Sequence, residues 1–266
     1  GRPMKISKRI ISLLMAALLV FGLPLSAFAS DGGEIRISTA EDWKSFVKNC
    51  KLDTWSVGKT VVLDTDLDLG GNFTPVPVFS GTFDGNGHSI HMGSYTSAAS
   101  DTGVFRYVSE GAVVKNLTVT GTWEPSGGKS TIGGIVGHNS GTIENCMFNG
   151  VVDGKNNIGG IAGINENTGV ITGCTVRGEI RGEHYTGGVA GQNLGSIIRC
   201  TNESSVNTDG AEIAPTLDDI DVSHINNTEN LSVYTDTGGI TGFSSGLLQG
   251  CQNTGEIGYP QDRKSV

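Results

Sequence analysis

The sequence predicts an all-β fold, a parallel β-helix with three short strands in each coil of about 26 residues, opened by a short capping helix. Glycine accounts for 41 of the 266 residues, about twice its ordinary share. Glycine-rich segments recur at a nearly constant spacing, with short β-branched runs between them. Each glycine inside a helix costs about 1 kcal/mol relative to alanine, so helical repeats are excluded.

The first 29 residues are predicted to be a secretory signal peptide. A basic start, an apolar run and small residues follow one another: Lys5, Lys8 and Arg9, then residues 10–25, then Ala27-Phe28-Ala29. Cleavage is expected after Ala29, and residues 1–3 lie upstream of Met4, the predicted start methionine. A membrane anchor is the alternative, but the apolar run is shorter than the roughly 20 residues that a span needs. We therefore expect a secreted or bacterial cell-surface protein, without a transmembrane segment in the mature chain.

Residues 30–102 are predicted to form the N-terminal cap and the first coils. Ser38-Thr39-Ala40-Glu41 is typical of a capping box, so a helix should run from there to about Asn49. Trp43, Phe46 and Val47 would form its apolar face. Because a solenoid exposes a hydrophobic end, this helix is expected to cover it.

Three aspartates in the cap are a weak candidate for a calcium site. Asp64, Asp66 and Asp68 alternate along a predicted strand, which would place them on one face. Calcium needs six to eight oxygen ligands. The alternative is a solvated acidic face that discourages pairing at a strand edge.

Residues 103–258 contain the repeat. Four copies share two glycines, an aliphatic residue, a variable residue and a third glycine: Gly133-Gly134-Ile135-Val136-Gly137, Gly159-Gly160-Ile161-Ala162-Gly163, Gly187-Gly188-Val189-Ala190-Gly191 and Gly238-Gly239-Ile240-Thr241-Gly242. Their first glycines lie 26, 28 and 51 residues apart, and the last spacing is close to two periods. The second copy has two extra residues between Asn165 and Gly169, which accounts for its length.

One position of the repeat is predicted to form an inward ladder. It is occupied by Leu117, Cys146, Cys174, Cys200 and Cys251. Because leucine replaces cysteine in an earlier coil, a buried ladder of small apolar side chains is favoured over disulfides, although adjacent coils would allow a bridge. No histidine recurs in register with the cysteines, which disfavours a metal site. The five histidines show no ligand spacing and are predicted at the surface or in turns.

Residues 209–236 break the repeat and are predicted to be an irregular insertion, either a degenerate coil or a binding loop. Asn207-Thr208-Asp209-Gly210 is similar to a polygalacturonase motif, and Asp218, Asp219 and His224 follow it. However, the polygalacturonase residues lie on successive coils, and the Gly-His-Gly and Arg-x-Lys elements are missing. No catalytic residue is therefore predicted. Residues 259–266 are expected to be a truncated tail, so that the chain would be a fragment of a larger surface protein.

Gly134-Ile135-Val136-Gly137 and its copies resemble the GLUG-motif repeats. The resemblance covers residues 103–258 and implies a right-handed parallel β-helix on a bacterial surface protein. The family includes the β-helical region of some immunoglobulin A peptidases, but their zinc motif His-Glu-x-x-His is absent here. The resemblance therefore implies a scaffold and no catalytic residue.

Net charge and composition limit the classes of binding partner that the sequence predicts. The net charge is −9, and removal of residues 1–29 with their four basic residues leaves −13, which disfavours nucleic acid. We expect a monomeric, non-catalytic, adhesin-like scaffold without cofactor, which binds a glycan or a host or bacterial surface protein. A polysaccharide lyase or hydrolase on the same fold is the alternative. Aromatic residues exposed on one face would fit sugar binding, and the candidates are Tyr95, Tyr107, Trp123 and Tyr185.

Overall fold

The computed structural model describes residues 33–208 and 235–258 of the chain. The N-terminal part contains β1 (Glu34–Ile37), α1 (Ala40–Asn49), β2 (Thr60–Leu63), β3 (Leu67–Asp68), β4 (Val76–Phe79), β5 (Thr82–Asp84), β6 (Ser89–Tyr95), β7 (Phe105–Val108), β8 (Val113–Lys115) and β9 (Thr118–Trp123). The predicted signal peptide, most of the predicted insertion and the predicted tail lie outside the described residues.

The repeats supply the remaining strands. They are β10 (Ile132–Gly133), β11 (Val136–Asn139), β12 (Thr142–Glu144), β13 (Met147–Asp153), β14 (Asn156–Gly159), β15 (Ala162–Asn165), β16 (Val170–Thr172), β17 (Thr175–Arg181), β18 (His184–Gly187), β19 (Ala190–Asn193), β20 (Ser196–Ile198), β21 (Thr201–Asn202), β22 (Ser205–Val206), β23 (Thr235–Gly238), β24 (Thr241–Ser244), β25 (Leu247–Gln249) and β26 (Gln252–Asn253). No helix among the described residues has the length and apolar character that crossing a bilayer demands.

The strands stack into parallel sheets, so the predicted all-β parallel solenoid with one N-terminal helix is confirmed. Sheet A contains β1, β2, β5, β8, β12, β16, β20 and β25; sheet B contains β3, β6, β9, β13, β17, β21 and β26, with β22 beside β17; sheet C contains β4, β7, β11, β15, β19 and β24; sheet D contains β10, β14, β18 and β23. The repeated coils thus carry a fourth short strand, in sheet D, beyond the three that the sequence predicted. It begins just before the paired glycines.

The third glycine of each repeat lets sheet D pack directly on sheet C of the next coil. A Cβ on Gly191 would lie 2.6 Å from backbone atoms of Asn157 and Ile158 in the preceding coil. Gly163 and Gly242 meet the corresponding backbone of their own preceding coils, at 2.9 and 2.5 Å. Any other residue would push two coils apart, since real Cβ atoms do not approach backbone so closely.

The helix caps the first coil through aromatic packing. Trp43, Phe46 and Val47 are buried, as the sequence predicted. Trp43 lies edge-on to Phe46 and Phe83, with ring centroids 5.5 and 6.3 Å apart. The capping box is formed by Thr39 and Asp42 rather than by Ser38 and Glu41, because Asp42 accepts hydrogen bonds from the backbone of both Ser38 and Thr39.

Inward side chains stack from coil to coil and form the core. In sheet A one such stack is fully buried over six coils: Val61, Phe83, Val114, Ile143, Ile171 and Ile197. Leu248 continues it in the last described coil, where 42% of the residue is exposed. Aromatic core residues are concentrated near α1, and the later coils are filled mainly by aliphatic side chains and cysteines, with Phe148 in the first repeat copy.

Candidate functional site

The two extra residues of the second repeat build a loop on the rim of sheet C. The loop consists of Glu166, Asn167 and Thr168, between β15 and β16. The backbone N–H of Glu166 donates to the carbonyl of Asn139 at 2.8 Å, and Oγ1 of Thr168 donates to the carbonyl of Ser140 at 2.7 Å. The loop is therefore held against the preceding coil at both of its ends.

His138 connects this loop to a corner two coils earlier. Nδ1 of His138 lies 2.8 Å from Oε1 of Glu166, and Nε2 lies 2.8 Å from Oδ1 of Asp101. The partners are 28 and 37 residues away in sequence. A neutral imidazole donates from one ring nitrogen, whereas the imidazolium form donates from both. The arrangement thus presents two carboxylates and a proton-carrying ring within one hydrogen-bonded cluster.

Asp101 occupies a strained corner of the backbone. Its φ is +60°, in the left-handed region that a side chain rarely adopts. Arg106 stabilises this corner, because its Nε donates to the Asp101 carbonyl at 3.0 Å and a terminal nitrogen lies 3.4 Å from the Ser100 carbonyl. The corner aims the Asp101 carboxylate at the His138 ring.

Tyr107 provides an aromatic surface beside the cluster. It is the register partner of His138 in sheet C, and the two rings stack with centroids 5.0 Å apart and planes 10° apart. The Arg106 guanidinium carbon lies 6.0 Å from the Tyr107 ring centroid. Tyr107 remains 39% exposed. The Tyr107 ring is therefore fixed by its stack with His138 and is still open to solvent.

These side chains line a groove of about 340 Å³. Its lining consists of Tyr107, His138, Ser140, Glu166, Asn167 and Thr168. The set combines one aromatic ring with carboxylate, amide, hydroxyl and imidazole groups. Such a site can stack an apolar ring face and hydrogen-bond the polar groups around it.

Each of the predicted calcium candidates is engaged by hydrogen-bond donors of its own. Asp64 accepts hydrogen bonds from Arg36 and Ser38, Asp66 accepts from the backbone of Ser89, and Asp68 accepts from the backbone of Gly70. They do not share a strand, because β2 ends before Asp64 and β3 begins after Asp66. Within residues 33–208 and 235–258, no group of three or more His, Cys, Asp or Glu side chains is placed to hold a metal ion.

The ladder residues lie in successive coils with their thiols reduced. Leu117, Cys146, Cys174 and Cys200 are buried, and Cys251 is partly exposed in the last described coil. Each thiol points at a carbonyl of the preceding coil, at 3.5–3.7 Å, as Cys174 does toward Ile143. Burial raises the pKa of the Cys174 thiol well above its usual value. These thiols pack as small apolar groups and are poor nucleophiles.

The prediction that four aromatic side chains are exposed on one face is only partly correct. Trp123 is fully buried, and its Nε1 donates to the Gly134 carbonyl at 3.2 Å. Tyr95 is half-buried and packs edge-on against Trp123. Tyr107 and Tyr185 do reach solvent. The polygalacturonase-like carboxylates and His224 lie outside the described residues.

Sequence reasoning missed His138, Asp101 and Glu166 as a cluster. The histidine has no repeat partner, and its two acids come from other coils. The signal that could have found them is the two-residue extension after Asn165, because insertions into a repeat tend to collect on one face.

A buried asparagine ladder supports the rim of the site from inside. Nδ2 of Asn139 donates to Oδ1 of Asn165 at 2.9 Å, and Nδ2 of Asn165 donates to Oδ1 of Asn193 at 2.8 Å. Asn193 continues to Oγ of Ser244 at 3.1 Å. Asn139 and Asn165 also close their own loops, through the carbonyls of Gly141 and Gly169. The ladder fixes the loops of successive coils relative to one another.

Comparison with known proteins agrees with this architecture. Residues 128–153 and 154–181 match the model of the GLUG motif. A segment is 33% identical over 100 residues to halomucin of Haloquadratum walsbyi, and the match covers 35% of this chain and 1% of halomucin. The fold is similar to the crystal structure of a candidate immunoglobulin A1 protease from Bacteroides ovatus, with a TM-score of 0.59 and 19% identity over 85% of this chain and 68% of that chain.

Proposed function

We propose that this chain, a β-helix with GLUG repeats, is an exported surface module that binds an uncharged glycan in the groove beside Tyr107. In this proposal it acts as a monomer, without nucleic acid as a partner. The predicted signal peptide with cleavage after Ala29 supports export to the bacterial surface. Adhesion to a host or bacterial surface would follow from glycan binding.

The observation that carries the proposal is the extension of the second repeat. A β-helix needs no extra residues at this corner, since the loops after Asn139 and Asn193 have a single residue before the next glycine. The extension instead supplies Glu166, Asn167 and Thr168, half of the groove lining. Functional groups on loops carried by a rigid scaffold are the usual form of a binding site.

The chemistry of the groove favours an uncharged sugar. The exposed Tyr107 ring offers an apolar face for stacking, while the amide and hydroxyls around it match sugar hydroxyls. Asp101 and Glu166 place two acidic groups against His138. Two carboxylates beside one imidazole disfavour phosphate, sulfate or uronic acid ligands.

A glycan-array screen of the chain, with reducing-sugar release assayed on the same panel, tests the proposal. Binding without release is expected. Tyr107→Ala should abolish the signal, while Leu52→Ala, at a 61% exposed residue outside the groove, should leave it unchanged. No binding to any neutral glycan, or equal binding by Tyr107→Ala, would refute the proposal.

A polysaccharide lyase or hydrolase is the second candidate function. One observation favours it: His138 and Glu166 could exchange a proton at the edge of the groove, 2.8 Å apart. Release of sugar ends that disappears in Glu166→Gln would establish this alternative. Release that persists in Glu166→Gln would place catalysis elsewhere in the chain.

A further inference from the structure

The outward face of sheet C forms one row of side chains that passes through the groove. Val78 precedes the groove, and parallel pairing puts five further residues in register with it: Tyr107, His138, Ile164, Gln192 and Phe243. Four steps from coil to coil separate Tyr107 from Phe243, which at about 4.8 Å per step is about 19 Å. Phe243 is 43% exposed, close to the value for Tyr107.

A second row, made of Asp101 and the equivalent positions of the later coils at or just before sheet D, runs beside the first. Asp101, Thr131, Asn157 and Tyr185 all have positive φ, between 56° and 60°. Thr131 is buried, and the other three contact the sheet C residue of the next coil. Asp101 contacts His138 at 2.8 Å, Gln192 donates to Oδ1 of Asn157 at 2.6 Å, and the rings of Tyr185 and Phe243 meet edge-on at 6.1 Å.

These three contacts join the two rows into one strip on the surface, which runs from Tyr107 to Phe243. An open aromatic ring lies at each end, Tyr107 beside the cluster and Phe243 against Tyr185. Between them lie imidazole, aliphatic and amide side chains. Polar and aliphatic side chains flanked by aromatic rings suit a chain of sugar rings, which can stack at intervals and hydrogen-bond in between.

An extended peptide fits this strip less well. Peptides that bind β-structure usually pair with a free strand edge. The backbone groups of β7, β11, β15 and β19 pair with the coils on both sides, so the outward face along these strands offers side chains. A glycan is recognised by side chains alone.

We infer that the ligand of the groove is a linear, uncharged polysaccharide that runs along successive coils and stacks on a second aromatic subsite formed by Phe243 and Tyr185. This inference rests on the proposed function. It adds the direction in which the glycan runs, the length of the binding site and a second aromatic subsite. A disaccharide would occupy the Tyr107 groove alone, whereas a hexasaccharide would reach both ends.

The test measures binding of neutral disaccharides and hexasaccharides from cellulose, mannan, xylan and starch by isothermal titration calorimetry. Phe243→Ala should weaken hexasaccharide binding by about tenfold, or about 1.4 kcal/mol, and leave disaccharide binding unchanged. Tyr107→Ala should weaken both. Leu247→Ala, at an exposed residue of the same coil in sheet A, is the matched control.

The outcomes separate the inference from the proposed function. Equal affinity for both lengths, or no effect of Phe243→Ala on the hexasaccharide, would overturn the extended subsite and leave the Tyr107 groove intact. Absence of sugar binding in the unmodified chain would refute both. Binding of an extended neutral peptide that competes with the hexasaccharide and requires Phe243 would assign the strip to a different class of ligand and overturn the inference.

Discussion

Nδ1 of His138 lies 2.8 Å from Oε1 of Glu166, a residue of the loop that the two-residue extension of the second repeat creates. The histidine comes from one coil and the acid from the next. The contact therefore depends on loop length rather than on the repeat itself.

Shortening that loop should remove binding and keep the fold. Replacing Glu166, Asn167 and Thr168 by one serine reproduces the loop of the first copy, where Ser140 alone separates Asn139 from Gly141. The change removes the Thr168–Ser140 and Glu166–His138 contacts, so the free energy of unfolding should fall by no more than about 2 kcal/mol. Urea unfolding and glycan binding are measured together, with Leu194→Ser in the next loop as control. Retained affinity would show that the loop does not form the site.

Asn165→Asp should destabilise the chain strongly. Asn165 is fully buried and donates from Nδ2 to Gly169, Asn193 and Ser196 at 2.8–3.2 Å. Aspartate loses all three hydrogen bonds and brings a charge into the ladder, for a loss of at least about 3 kcal/mol. Asn167→Asp, two residues away on the exposed loop, should change stability by less than about 0.5 kcal/mol. Similar urea midpoints for the two variants would contradict a structural role for the ladder.

Thiol labelling should distinguish one cysteine from the other four. Cys50, Cys146, Cys174 and Cys200 are buried, and burial raises the pKa of Cys50 to about 12. Cys251 is partly exposed, although burial raises its pKa as well. With iodoacetamide at mild alkaline pH, Cys251 should react at least about tenfold faster than the others. Peptide mass spectrometry identifies the labelled residue, and urea should equalise the rates.

Gly191→Ala should lower the melting temperature, because the added methyl group would force two coils apart. The added Cβ would lie 2.6 Å from two backbone atoms of the preceding coil, and overpacking of this kind costs about 1–3 kcal/mol. Gly258→Ala is the control, because nothing lies within 4 Å of a Cβ at that position. Thermal melts of both variants give the comparison. An unchanged melting temperature for Gly191→Ala would show that sheets C and D can move apart freely.

The capped end should lose stability in acid. The Arg36 guanidinium beside Asp64 lowers the pKa of that carboxyl, and the backbone N–H of Ser38 lowers the pKa of Asp42. A carboxyl with a lowered pKa in the folded state stabilises the fold above its unfolded value near 4, and this contribution disappears as the pH falls through the folded value.

Tryptophan fluorescence reports on this region, because all three tryptophans lie between residues 43 and 123. The urea midpoint of the unmodified chain should fall between about pH 5 and pH 2 by more than that of an Asp42→Asn, Asp64→Asn double variant. Equal slopes would mean that these carboxylates do not stabilise the cap.

The fold was predictable because the same pattern of residues recurs in each coil. Glycines at a constant spacing, aliphatic rungs and a cysteine position locate each inward side chain. The same register places Trp123 six residues after Leu117, where Val152 follows Cys146, so its burial could have been predicted from the alignment. The aspartates at 64, 66 and 68 were placed on one strand because alternation alone does not reveal a corner.

The His138 cluster could not be predicted in the same way. It joins side chains from three coils, and its geometry depends on the positive φ of Asp101 and on the fold of a loop that occurs once among the aligned copies. A periodic pattern describes what the coils share, and this site is made from the residues in which they differ.

The concentration of aromatic packing under α1 gives the chain unequal local opening energies. Amide hydrogens of β2 and β5 should exchange near the rate of global unfolding, while those of β24 and β25, next to the partly exposed Leu248, should exchange through smaller openings. Tyr107 thus lies toward the end of sheet C with the higher expected opening free energy, and Phe243 lies toward the end with the lower one. A molecule held by both residues would slow exchange mainly in the last described coil, far from Tyr107.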